Sequence, residues 1–360
     1  STRSGLSIMH DESDFYSFEN FLPEEGIGKL PYNEVSSILR THDNQMWISM
    51  FGGGVCKIQT ENKKFGVDRM EAVRSLYKTI SIRNVFYAGD DEYWMGIIGF
   101  WMILYNARTH TCINYQEHPD FKDLPYTSTV DAIIRRKKTG EICFGTYSRG
   151  VWLYDEKSHK VRALNHLTQR KFENDCVHTL MEDSKGNLWI GTRQGVYILD
   201  AEDQFHKLSD WMPGVELDFL SSRVFDIKED AEHHIWIATN YEGIVRLDLQ
   251  DKTCRRYAVG QKRDVQNIFC LLVDSRQQIW AGSMWSGLSY YDRKQDAFVT
   301  INSFSTIENK GITNIVEDNR GKIWVTTNNT VLSFTMNDSH TLENINYYAV
   351  ANEMETFSFN

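Results

Sequence analysis

The sequence predicts an all-β propeller built from four-stranded antiparallel blades, and three observations predict it. A bulky anchor recurs at Trp47, Trp94, Cys143, Trp189, Trp236, Trp280 and Trp324, with spacings of 47, 49, 46, 47, 44 and 44 residues. That period is the length of a four-stranded propeller blade. The same order repeats around the anchors. Asp stands in the preceding turn (Asp43, Asp183, Asp230, Asp274, Asp318), and a small residue stands two after the anchor (Ser49, Gly96, Gly145, Gly191, Ala238, Gly282, Thr326). Gly then precedes an apolar residue in five copies (Gly54-Val55, Gly150-Val151, Gly195-Val196, Gly243-Ile244, Gly287-Leu288). The third observation is the stretch 177–200, which reads as three short strands joined by turns at 183–186 and 192–195 and closed by Asp200. Asp and Gly supply the local hydrogen bonds and positive φ that such turns require. A lone meander of this size is not stable in water, so repetition has to supply its packing partners.

In chain order, residues 5–10 and 15–18 read as the third and fourth strands of a blade whose first half is missing. Seven complete repeats then fill 32–348, with first strands starting near Val35, Ile82, Val130, Val177, Val224, Ile268 and Ile312. A last fourth strand is expected at 345–350, and 355–360 reads as the first strand of another blade. Residues 1–360 are therefore expected to form a single propeller, a piece of a longer protein, with 1–31 and 349–360 as partial blades for closure. Seven anchors argue for seven blades, and pairing of the two ends into a split blade would make eight. Two copies depart from the pattern: 89–101 lacks the Gly-apolar start, and 140–150 has Cys143 in place of Trp.

Composition excludes several classes of function. Net charge is −10, and the longest basic run is Arg135-Arg136-Lys137-Lys138. Direct nucleic-acid contact is not expected without a concentrated positive face, and that run reads as a solvated turn between strands. The most apolar run, 94–105, contains two Gly and is too short to span a bilayer; it reads as two strands. The six Cys have no CxxC spacing, so they read as small core residues rather than disulfide or zinc ligands. No HExxH or nucleophile elbow occurs, His233-His234 falls in a first-to-second strand turn, and the recurring carboxylates open turns. No catalytic residue, metal or cofactor is predicted.

Loops joining second to third strands open on one face around the central channel. They carry Phe51, Trp101, Tyr147, Tyr241 and Trp285, with Arg149, Arg193, Asn240 and Glu242 beside them. Flat rings stack on the C–H faces of sugars, and Arg, Asn and Glu bond to hydroxyls, which makes this set a candidate saccharide site. The same residue types anchor protein interfaces, so a scaffold role stays open.

The segment Asp183 to Asp200, DSKGNLWIGTRQGVYILD, resembles the two-component regulator propeller repeat, whose pattern is roughly D-x-x-G-x-φ-W-φ-G-T-x-x-G-φ. Partial matches stand at 318–327 (DNRGKIWVTT), 230–239 (DAEHHIWIAT) and 274–283 (DSRQQIWAGS). The ending at 347–360 is similar to the family's stretch near the close of the propeller region, with Asn352-Glu353-Met354 where D-G-L is usual. The resemblance implies the periplasmic sensor region of a Bacteroides-type hybrid two-component protein, responding to an oligosaccharide and controlling polysaccharide-utilisation genes. It implies neighbouring propeller and β-sandwich domains, a homodimer in the full-length protein, and a histidine kinase elsewhere in the chain. The region itself is expected to be non-enzymatic. The rival expectations are a scaffold for dimer or interdomain contacts and, third, a propeller lyase or glycosidase.

Overall fold

The structure, a computed structural model, describes residues 6–12, 15–21, 34–40, 46–51, 54–59, 64–68, 70–76, 81–98, 101–121, 128–164, 176–217, 222–260, 267–301, 311–327 and 330–349. Its strands follow the repeat. The N-terminal hairpin is β1 (Leu6–Glu12) and β2 (Phe15–Phe21). Next come β3 (Glu34–Arg40), β4 (Met46–Phe51), β5 (Gly54–Gln59) and β6 (Lys64–Asp68). The following sheet is β7 (Ile82–Gly89), β8 (Glu92–Ile97), β9 (Met102–Asn106) and β10 (Thr111–Asn114). Then stand β11 (Val130–Arg135), β12 (Ile142–Thr146), β13 (Val151–Asp155) and β14 (Lys160–Ala163). The stretch that defines the repeat supplies β15 (Val177–Glu182), β16 (Leu188–Thr192), β17 (Gly195–Leu199) and β18 (Phe205–Lys207). It is followed by β19 (Val224–Glu229), β20 (Ile235–Thr239), β21 (Ile244–Asp248) and β22 (Thr253–Tyr257). Two more groups complete the chain: β23 (Ile268–Val273), β24 (Ile279–Ser283), β25 (Gly287–Asp292) and β26 (Ala297–Thr300), then β27 (Ile312–Glu317), β28 (Ile323–Thr327), β29 (Thr330–Met336) and β30 (Leu342–Ala349).

Each group pairs antiparallel in sequence order, and the first strands β3, β7, β11, β15, β19, β23 and β27 succeed one another around the centre, β27 meeting β3. The architecture is thus an all-β propeller, with a correction to the expected count. Six of its blades are four-stranded, not seven or eight. The sheet that completes the ring has six strands, in the order β2-β1-β30-β29-β28-β27. The N-terminal hairpin is not half of a split blade. It pairs through Ser7 and Ile8 with Ala349 and Tyr348, adding to the outer edge of β30. An open edge of unpaired N–H and C=O groups is a template for such addition. The expected strand at 355–360 lies outside the described residues.

The repeat pattern now has physical causes. Five second strands, β12, β16, β20, β24 and β28, are buried along their whole length, because they lie between their sheet neighbours and the next blade. The small residue after the anchor is required by blade-to-blade approach. A Cβ on Gly96 would stand 2.3 Å from the carbonyl oxygen of Val130, and one on Gly282 would stand 2.5 Å from Ile312 Cγ2 in the following first strand. The Asp of the turn is a clamp. Asp183, only 3% exposed, accepts from the backbone N–H of Lys185 and Asn187 with Oδ1 and from Trp189 Nε1 at 2.9 Å with Oδ2. Asp230, Asp274 and Asp318 hold Trp236, Trp280 and Trp324 in the same way at 2.8, 2.9 and 2.9 Å.

Carboxylates at the ends of first strands clip neighbouring blades together. Glu229 accepts from Ser184 N–H and Oγ, and Glu317 does the same for Ser275. One basic residue departs from its sequence reading. Arg136 does not lie in a solvated turn; it is fully buried, donating to Asp203 at 3.2 Å and to the Gly186 carbonyl, with Glu182 3.8 Å from its Nε. Partly desolvated opposite charges make it a staple between the β11–β14 and β15–β18 blades.

Candidate ligand site

Antiparallel order puts the second-to-third strand loops on one face of the ring, and a repeated hydrogen bond holds five of them against the start of their own blades. Backbone N–H groups of Ile98, Tyr147, Arg193, Asn240 and Met284 donate to the carbonyls of Ser81, Thr129, Cys176, Arg223 and Asn267 at 2.8–3.0 Å. Inside the loops, Thr146, Thr192 and Thr239 donate through Oγ1 to the carbonyls of Gly150, Gly195 and Gly243. The loop tips are thereby fixed while their side chains stay outside.

Of the nine sequence-predicted residues, seven stand on this face. Tyr147, Tyr241 and Trp285 are 50%, 62% and 52% exposed, which is unusual for large aromatic groups. Tyr241 sits at φ +84°, a strained left-handed conformation that only a tight loop tip imposes. Arg149 and Arg193 are exposed, and Asn240 and Glu242 are half-buried. Glu242 is tied to Arg256 at 2.8 Å. Trp101 is not on the face. It is 1% exposed and packs with Trp94, Met102, Phe121 and Phe144. It stands seven residues after its anchor, where other copies place Gly150, Gly243 and Gly287, so its ring turns inward. Phe51 ends β4, but its side chain lies outside the described residues.

The structure adds residues that the sequence reading missed. Every first strand shows a register shift between its first apolar residue and the residue two later, so the intervening residue is bulged. A bulge re-aims a side chain. The bulged Arg83, Asp131, His178, Phe225, Phe269 and Thr313 all line a central cavity of about 470 Å³. Along one wall Arg83 Nε lies 3.4 Å from Asp131 Oδ1, and His178 Nδ1 lies 3.3 Å from Asp131 Oδ2. Cys176 Sγ stands 3.5 Å from His178 Nε2; burial and then the Asp131 charge push its thiol up, keeping it a thiol. Beside His178, whose ring lies 5.7 Å from that of Phe225, Phe225 and Phe269 meet edge to face at 4.8 Å. Tyr147 joins the two parts of the site, its ring 6.4 Å from that of His178.

A signal for these residues existed. Each is the second residue of its first strand, a position without shared chemistry between copies. Groups suited to holding a metal do not occur among the described residues. His233 is exposed beside Glu229, while His234 is tucked against Asp230 and Asp248 within a clamp. Cys112, Cys143, Cys176, Cys254 and Cys270 are free thiols. Among the described residues no helix is long and apolar enough to cross a membrane.

Comparison with known proteins places this geometry. A model of the two-component regulator propeller repeat matches residues 171–194 and 306–329. Histidine kinase P4 of Formosa agariphila is 26% identical over 300 residues, 70% of this chain and 22% of its own length. The extracellular domain of a protein described as a hybrid two-component system of B. thetaiotaomicron superposes with a TM-score of 0.66 at 20% identity, covering 89% of this chain and 40% of that one. Virginiamycin B lyase of Staphylococcus aureus gives 0.60 at 10% identity, covering 89% and 96%. At such identities the solved structures share the fold, and no more is carried from them. The chain spans 22% of the length of the histidine kinase and 40% of that of the extracellular domain. Two segments of the chain thus match the two-component regulator propeller repeat, the first of them overlapping the Asp183 to Asp200 segment.

Proposed function

We propose that this chain is a non-enzymatic, extracytoplasmic recognition propeller of a hybrid two-component signalling protein, and that its ligand is an oligosaccharide. One observation carries the reading: half-exposed Tyr147, Tyr241 and Trp285 stand on second-to-third strand loops with exposed Arg149 and Arg193, and the Tyr147 ring lies 6.4 Å from that of His178 in the central cavity. Exposed rings beside fixed hydrogen-bonding groups suit sugar stacking better than they suit water. The repeat match, the kinase relative and the extracellular structural neighbour support the signalling context. In this reading the domain acts in the periplasm, beside further propeller and β-sandwich domains of its own chain, in a dimer, and controls polysaccharide-utilisation genes.

Calorimetric titration of the purified chain against a panel of glycan digests tests it. Binding that disappears in Trp285→Ala and Tyr241→Ala, with folding intact, is the expected result. If these variants bind normally but change self-association, the aromatic face is an interface and the scaffold reading replaces this one. Product released from any digest would make the domain a lyase or glycosidase instead.

A further inference from the structure

We propose that the central cavity is a subsite for one uncharged sugar ring. The proposal rests on the reading that the ligand is an oligosaccharide, and it adds where a unit of that ligand sits and which chemical class it belongs to. The cavity volume, about 470 Å³, falls among small-molecule sites, which run from about 300 to 1,000 Å³.

Its charges argue for an uncharged occupant. Asp131, whose side chain is 5% exposed, already faces both Arg83 and His178. Asp226 accepts from Lys228 Nζ at 2.7 Å and from the backbone N–H of Ile227 and Leu271 at 2.9 Å each. Both cationic groups on the wall thus face a carboxylate, and both carboxylates face a cation. An anion or a cation entering the cavity would have to compete with an existing ion pair for each of the charges that line it. A hydroxyl needs no such exchange. It can accept from the guanidinium of Arg83, which engages Asp131 through Nε and whose side chain is 45% exposed. It can donate to carboxylate oxygens, which have more lone pairs than their present partners use. Next to His178, Phe225 and Phe269 are half-buried and supply the apolar surface that the C–H face of a sugar requires. Tyr147 beside His178 then meets the next unit at the rim.

The test is calorimetry on the purified chain with neutral gluco-, manno-, xylo- and arabino-oligosaccharides, set against oligogalacturonides of matched length. A neutral member should bind, with the uronides at least about tenfold weaker, and Phe225→Leu and Arg83→Gln should each lower affinity about tenfold while the thermal melt stays near that of the parent. Arg83 is half-exposed, so Arg83→Gln remains informative if Phe225→Leu fails to fold. Binding that is lost in Trp285→Ala but unchanged in both cavity variants overturns the subsite and leaves the loop-face reading standing. Tighter binding of oligogalacturonides overturns the uncharged class. If no member of the panel binds, both this proposal and the reading beneath it fall.

Discussion

Two arcs of the ring hold the same anchor differently. From β15 to β30, each anchor indole donates to an Asp six residues earlier, and that Asp also ties its own turn. From β3 to β14, the buried Nε1 atoms of Trp47 and Trp94 have no hydrogen-bond partner among the described residues, and the third anchor is Cys143. Ala88 stands six residues before Trp94, and the turn there is a tight one through Asp90 and Asp91 at φ +51° and +60°. Both arcs nonetheless make antiparallel sheets with buried anchors. Packing of the anchor against the next blade is therefore what a blade needs, and the clamp adds stability to a turn that other turn chemistry can close. The polar cavity wall spans the junction, since Arg83 and Asp131 belong to the unclamped arc and His178 to the first clamped blade.

The comparison can be broken most forcefully at the clamp. Asp183→Ala orphans an indole N–H, the Asn187 amide and two backbone N–H groups, and should cost about 3–5 kcal/mol by chemical denaturation. A loss below about 1 kcal/mol would mean that the clamps are ornaments of packing. Next in size is a paired replacement of indole by phenyl. Trp189→Phe removes a satisfied bond and should cost about 2–3 kcal/mol, whereas Trp94→Phe also removes an unsatisfied N–H and should cost about 1 kcal/mol less. Equal costs would erase the distinction between the arcs.

A smaller effect separates two glycines. The Cβ of Gly96→Ala meets a backbone oxygen that cannot move alone, whereas that of Gly191→Ala meets Thr179 Cγ2 and Val224 Cγ1, which can. Gly96→Ala should cost about 2–3 kcal/mol and Gly191→Ala about 1–2 kcal/mol, read from paired denaturation curves.

The smallest effect is one of pH. Burial alone would push the Asp200 carboxyl up, but His206 and the backbone N–H groups of Gln204 and Glu202 outweigh it, holding Asp200 below its ordinary value of 3.8. For Asp248 the Asp251 N–H acts first, and burial is outweighed in the same direction. In the other arc, Tyr154, His159 and His118 outweigh burial at Asp120. A carboxyl with a lowered folded pKa stabilises the native state above its unfolded pKa, and that stability is lost as pH falls through the folded value. Thermal melts should therefore hold steady from pH 6 to about 4 and fall below that. Asp200→Asn should flatten part of the fall, and an unchanged profile would show that Asp200 contributes none of it.

Much of this fold was legible because a blade cannot bury its own face and must repeat. The anchors, the Asp turns and the small residue two after the anchor each report a contact that recurs. The blade correction was not legible, because β1 and β2 carry an alternating pattern that fits any open edge, and only the register with β30 tells which edge. Trp101 misled for a similar reason: its position before β9 is a loop position in other copies, but an indole there folds into the interface with the next blade. The cavity residues were hidden by the bulge. Alternation assigns in and out by parity, and an extra residue breaks parity at the one place where Arg83, Asp131, His178, Phe225 and Phe269 turn to the channel. Arg136 was hidden because charge alone does not reveal that Asp203 and Gly186 of the next blade come within reach.

The central claim is that the ligand is read at the loop face and the cavity beneath it. The most direct measurement is amide hydrogen exchange of the chain, free and saturated with an oligosaccharide that binds it. Slower exchange confined to the second-to-third strand loops around Tyr147, Tyr241 and Trp285 and to the first strands β7, β11, β15, β19 and β23 is the result this account predicts. Protection confined to the outer strands, or to the β1–β2 hairpin, would contradict it.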